Sequence, residues 1–158
     1  PKGYVPALRL DDGDVVTENV VLHGYVADQR PETKLAPAHG TKARLKQDEL
    51  AVYISTEIHK TYGSLFNPAI TDDARKATID RLKMRYVLIE TLLSDGRAYL
   101  TGETFATVDA YLFTVTNWAN PLQIDLSAFP NLMAFQKRVA ARPAVQAALV
   151  AEGLVKAA

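Results

Sequence analysis

Four places in this sequence carry residues that could do chemistry, and each also has a purely structural reading. Thr17-Glu18-Asn19 stands where a helix begins. Free backbone N–H groups at such an end hold an anion well, while ordinary capping uses the same residue types. His59-Lys60 lies on a long helix whose stripe of Leu50, Ile54 and Ile58 reads as core. His59 falls on the other side with Val52, Thr56 and Gly63, so the pair is either part of a site or solvated surface. Val5-Pro6 is either a binding turn or a proline ending an edge strand. Asp109 follows Ala106 by three residues, the spacing of a carboxylate that reaches back to backbone donors, and is expected to be structural. The chain has no cysteine, which excludes disulfides, thiolate metal sites and a cysteine nucleophile within these residues.

The elements that must position these residues follow from patterning. Val5 to Leu10 reads as a strand, Asp12-Gly13 as a hairpin turn and Val15-Val16 as the returning strand. A helix starts at Thr17 and ends near Asp28. Residues 29–40 are rich in proline and polar residues and read as a linker. Five helices are expected after it. The first runs from Thr41 to about Gly63, and Thr71-Asp72-Asp73 caps a second that reaches Ser94. Its stripe of Ile79, Leu82, Tyr86, Ile89 and Leu93 steps by three and four residues. Val108 to about Asn117 is the third, and Pro130 and Pro143 open the last two. Two short strands and one helix bury too little to stand alone, so residues ahead of Pro1 are expected to complete that front piece.

Composition narrows the function classes. Hydrophobic residues make up 48% of 158, enough for a core. Lys+Arg and Asp+Glu both total 18, so the chain lacks the field that draws proteins to nucleic acid or anionic lipid. No apolar run approaches the roughly 20 residues that span a bilayer. The first residues, with Pro1, Gly3 and Pro6, do not read as a signal peptide, and a soluble protein of the cytoplasm is expected.

Five segments, in order along the chain, resemble the glutathione transferases, and the bacterial beta class in particular. Pro1-Lys2-Gly3-Tyr4-Val5-Pro6-Ala7-Leu8 resembles the family's Asn-Pro-x-Gly-x-Val-Pro-x-Leu, and Thr17-Glu18-Asn19 its Thr/Ser-Glu/Gln-Ser/Gly/Ala. Glu57-Ile58-His59-Lys60 is similar to the Glu-Leu-His-Lys of the beta class. Asp109-Ala110-Tyr111-Leu112-Phe113 resembles the sixth family helix. Phe129-Pro130-Asn131-Leu132, with Arg142-Pro143-Ala144-Val145, resembles the last two.

The resemblance implies an α/β plus all-α fold: a partial thioredoxin-like domain (hairpin and helix, 1–30), a linker (31–40) and the all-helical C-terminal domain (41–158). It implies that glutathione is the co-substrate and that its thiolate is conjugated to a small electrophile. Val5-Pro6 would be cis, with the Val5 backbone bonding the cysteinyl unit. Glu18 and Asn19 would take the ligand's amino acid head. Thr56, His59 and Lys60 would line the glutathione pocket, with the cationic pair favouring thiolate. Val52 stands where the beta class often has Asn, so that class's contact to a neighbouring subunit's ligand is expected to be absent. The thiol-activating residue is unknown and expected before Pro1, within about 50 preceding family residues. A homodimer is expected through the first two long helices, which carry Tyr53, Tyr62 and Tyr86. Two other readings stay open: a non-catalytic binding or dimerisation module, and a glutathione-dependent thiol-disulfide reductase or peroxidase.

Overall fold

A computed structural model describes residues 2–156. The front of the chain is a hairpin of β1 (Ala7–Arg9) and β2 (Val15–Thr17), antiparallel with Leu8 opposite Val16. Leu10 and Asp14 close it by a 2.8 Å N–H···O bond, and Gly13 takes φ 94°, which a side chain would oppose. β1 is shorter than the expected Val5 to Leu10, while β2 runs one residue beyond Val15-Val16 and takes in Thr17, which was expected to start the helix. Helix α1 (Asn19–Gln29) follows at once.

Between α1 and the rest lies a short 3₁₀ turn, Pro31–Thr33. The segment after it is anchored: the Thr107 N–H donates to the Leu35 carbonyl at 2.9 Å. Arg44, only 6% exposed, fastens α1 to the helices. Its guanidinium donates to both Asp28 oxygens at 2.7 and 3.0 Å, to Asp48 at 3.1 Å and to the Pro37 carbonyl at 3.2 Å. Gly24 leaves room for it, since a Cβ there would meet Arg44 Nη2 at 2.8 Å.

The helical part begins with one continuous rod: α2 (Lys42–Tyr53), a π-helical stretch (Ile54–His59) and α3 (Lys60–Leu65). Thr41 caps its start, its hydroxyl accepting from the Arg44 N–H. Helix α4 (Asp72–Leu93) is capped in the same way by Thr71. Helices α5 (Thr107–Asn117), α6 (Pro130–Ala140) and α7 (Pro143–Ala151) complete the fold. Among the described residues no helix is long and apolar enough to cross a membrane.

The core lies where α4, α5 and α6 meet the rod. Ile54, Ile58, Leu82, Ile89, Leu112, Leu132 and Phe135 are wholly or almost wholly buried. Tyr62 and Tyr86, candidates for an interface by sequence, are fully buried here. Their hydroxyls form a thread, Tyr62 to Tyr86 at 3.1 Å and Tyr86 to Thr116 Oγ1 at 3.0 Å. Burial pushes the Tyr62 phenol up to about 12 and raises that of Tyr86 well above its usual value too, so both remain neutral. The Tyr53 hydroxyl also turns inward, to the Arg85 carbonyl at 2.8 Å.

Candidate functional site

A cleft of about 650 Å³ opens between the start of the chain, α1, the rod and α5. Val5, Pro6 and Asn19 line one side, with His23, His59, Tyr111 and Trp118 on the others. The Val5–Pro6 bond is cis, and the Val5 side chain is 92% exposed.

Asn19 opens α1. The residue before it, Glu18, has φ 77°, a left-handed value that costs a non-glycine residue of order 1–3 kcal/mol. No side chain caps this helix start. Its first N–H groups therefore point outward with the positive end of the helix dipole, suited to an anion. The Glu18 carboxylate does not enter the cleft. It turns to Lys2 Nζ at 3.2 Å, beside a separate depression lined by Val15, Val16 and Thr17.

His59 ends the π-helical stretch. Its Nδ1 is 2.8 Å from the Tyr111 hydroxyl on α5, and its ring stands edge-on to Trp118 with centroids 4.8 Å apart. His23, four residues after Asn19 on α1, packs edge-on against the other side of Tyr111. Burial lowers the pKa of both histidines below the usual 6.5, so both rings are neutral at pH 7. In the tautomer in which His59 Nδ1 accepts from the Tyr111 hydroxyl, the ring proton sits on Nε2 and that nitrogen is a donor.

Thr56 and Lys60 are not brought to this cleft. They share a smaller groove, of about 270 Å³, with Glu57, Arg81 and Arg85, on the α4 side of the rod. Two features of the backbone account for this. Residues four apart share a helical face, so Thr56 and Lys60 go together, whereas His59 is turned about 100° from Lys60. The π turn also inserts a residue into the helical repeat, which rotates His59 inward, away from the exposed face of Val52 and Thr56. Sequence had placed His59 on that outer face and paired it with Lys60 as two cations. In the structure it is half-buried, neutral and partnered by a tyrosine.

Asp109 lies outside the cleft and is fully buried. Its Oδ1 accepts from the Leu100 N–H at 2.8 Å and its Oδ2 from the Ala106 N–H at 2.7 Å, tying the 95–106 loop to the start of α5. Burial raises its pKa to about 6, against the pull of those two N–H groups and of Arg142.

His23, Tyr111 and Trp118 carry no role by sequence alone. The signal for them is spacing: Asn19 and His23 lie one turn apart on α1, and Tyr111, Thr114 and Trp118 step by three and four along α5.

Residues 53–143 match the family described as Glutathione S-transferase, C-terminal domain. Among curated proteins, the chain is 39% identical over 154 residues to Glutathione S-transferase GstA of Escherichia coli O157:H7, covering 98% of this chain and 76% of that protein. Among solved structures it is similar to a sphingomonad glutathione S-transferase complexed with glutathione, at 39% identity and TM-score 0.91. That match covers 98% of this chain and 77% of the other. The bacterial beta class glutathione S-transferase of Sphingomonas chungbukensis gives 41% identity and TM-score 0.91 over the same shares.

Proposed function

The chain belongs to the glutathione S-transferase family, close to its bacterial beta class, and from that membership we propose how its own residues handle glutathione. The protein is a glutathione transferase, with glutathione as co-substrate. Its fold is the family's, a thioredoxin-like hairpin and helix followed by an all-helical domain. We read residues 1–30 as belonging to the glutathione-binding domain, 31–40 as the linker and 41–158 as the helical domain.

Glutathione lies along the cleft. Its head carboxylate meets the uncapped start of α1 at Asn19, with the Glu18 carboxylate close enough in sequence to attract the ammonium once it leaves Lys2. The backbone of Val5 bonds the cysteinyl unit as an added strand would. The thiol then points toward His59, whose Nε2–H donates to the sulfur and favours thiolate. Tyr111 holds that tautomer, and Trp118 supplies an apolar wall for the electrophile. With an activated aryl chloride, the thiolate adds to the chlorine-bearing ring carbon, the electron-poor ring holds the charge, and the C–Cl bond then breaks. Chloride leaves, and the thiol proton passes to solvent. Thr56 and Lys60, in the groove toward α4, play no part in this reading.

The observation that carries it is the pairing of His59 with Tyr111 in the same cleft as Val5, Pro6 and Asn19. Turnover of glutathione with an aryl chloride, followed by the conjugate's absorbance, tests it. His59→Phe should lower kcat/KM about tenfold, the cost of one hydrogen bond to a charged atom, while Lys60→Ala stays within twofold. The reverse order would place the chemistry in the α4 groove.

We also read the protein as a cytoplasmic homodimer, matching the compartment where glutathione is the main thiol buffer. Met84, Val87 and Leu88 form an exposed apolar stripe on α4, and Leu45 and Val52 another on α2. Such stripes suit burial against a second copy.

A further inference from the structure

Val5, Pro6 and Asn19, from the front of the chain, form one side of the cleft that takes glutathione. Ala110, Tyr111, Thr114, Trp118 and Glu152, from α5 and the end of α7, belong to the helical side. With glutathione held along the front residues, the helical side meets whatever its sulfur attacks. Trp118 and Ala110 are apolar there, and the Tyr111 hydroxyl is taken by His59. The Thr114 hydroxyl donates to the Ala110 carbonyl at 2.9 Å, so its oxygen offers the cleft lone pairs only. Glu152 is exposed and is the one carboxylate among the lining residues. No Lys or Arg lines the cleft, and with His23 and His59 neutral nothing there offsets it. None of the ion pairs among the described residues takes it up. Its position is also unfavourable locally. Glu152 follows the last residue of α7, where the negative end of the helix dipole suits Lys or Arg and opposes a carboxylate, and the last turn holds no basic residue. The cation that this place lacks can come to it from the cleft.

We propose that Glu152 selects the electrophile by charge, favouring an apolar ring that carries an ammonium-type cation and turning carboxylates and sulfonates away. The ring lies against Trp118, and the cation faces the Glu152 carboxylate, with the Thr114 oxygen as a further acceptor. This names the substrate class of the cleft and rests on the reading that glutathione occupies it.

Preformed conjugates of glutathione test this without turnover. Three nitrobenzamide conjugates, joined through the glutathione sulfur, differ only in the end of an ethyl tail on the amide. The end is trimethylammonium, its uncharged tert-butyl isostere, or sulfonate. Binding is read by calorimetry, each affinity taken relative to the tert-butyl conjugate, so that the charges of glutathione itself cancel. In the unmodified protein the cationic conjugate should bind tightest and the sulfonate weakest. Glu152→Gln should shrink the ratio between those two about fivefold, the worth of two exposed charge contacts, and Glu152→Lys should shrink it further. Glu152 is exposed, so neither substitution disturbs packing. A ratio that is the same in Glu152→Gln as in the parent protein overturns the proposal and leaves the glutathione reading standing. A tert-butyl conjugate that gives no saturable heat overturns that reading, and the proposal with it.

Discussion

His59 draws its character from Tyr111, a residue 52 positions away in sequence. If the phenol fixes the tautomer that serves the sulfur, the two act as one unit, and their substitutions cannot add. Tyr111→Phe should cost a few-fold in kcat/KM, and His59→Phe with Tyr111→Phe no more than His59→Phe alone. Steady-state kinetics on the three variants checks this; additive losses would mean that the side chains act separately. Asp109 gives a second expectation at this scale. Its folded pKa, about 6, lies above the ordinary value of 3.8, so between those two pH values the folded state holds more protons than the unfolded one. The stability contributed by protonated Asp109 is complete below about pH 4 and is lost as pH rises through 6. Asp109→Asn has no such loss, so its deficit against the parent protein in urea denaturation should shrink from pH 4.5 to pH 7. A deficit that grows over that range would mean that the two backbone N–H groups outweigh burial. The types and positions of His59 and Asp109 were legible in the sequence. Their states were not, because burial and a distant hydroxyl set them.

At the scale of elements, caps and apolar stripes told most of the story. Thr41 and Thr71 cap where the sequence puts them, and Pro130 and Pro143 open the last two helices. The π-helical stretch was not legible, since Ile54 to His59 is unremarkable for an α-helix and tertiary packing selects the wider turn. That wider turn moves His59 off the exposed face of Val52 and Thr56. The start of α6 hides a similar device. Phe129 offers no capping side chain, so the helix is capped from outside by Glu90 on α4. Glu90 accepts from the Asn131 and Leu132 N–H groups at 3.0 and 2.9 Å and from Asn131 Nδ2 at 2.7 Å. Charge-assisted capping of this kind is worth about 1–2 kcal/mol. Glu90→Leu should therefore lower Tm by several degrees, read by thermal denaturation. An unchanged Tm would show that water serves those N–H groups as well.

For the molecule as a whole, order along the chain carried the assignment: five weak matches in sequence placed a hairpin, a helix and five helices in a known arrangement. Tyr62 and Tyr86 on the long helices are packed inside, as aromatics of amphipathic helices commonly are, while exposed apolar surface lies on Met84, Val87 and Leu88. Leu88→Glu, on an exposed position, should leave the fold intact and halve the mass seen by light scattering. An unchanged mass would remove α4 from the contact.

The central claim is that glutathione occupies the cleft of His59 and Tyr111, and the protein carries its own reporter there. Trp118 is the single tryptophan of the chain and lies against His59. Titrating glutathione while following tryptophan emission should give one saturable change, displaced about tenfold to higher concentration in His59→Phe. Saturable binding by calorimetry with no change in Trp118 emission, or a His59→Phe titration that overlays the parent curve, would contradict it.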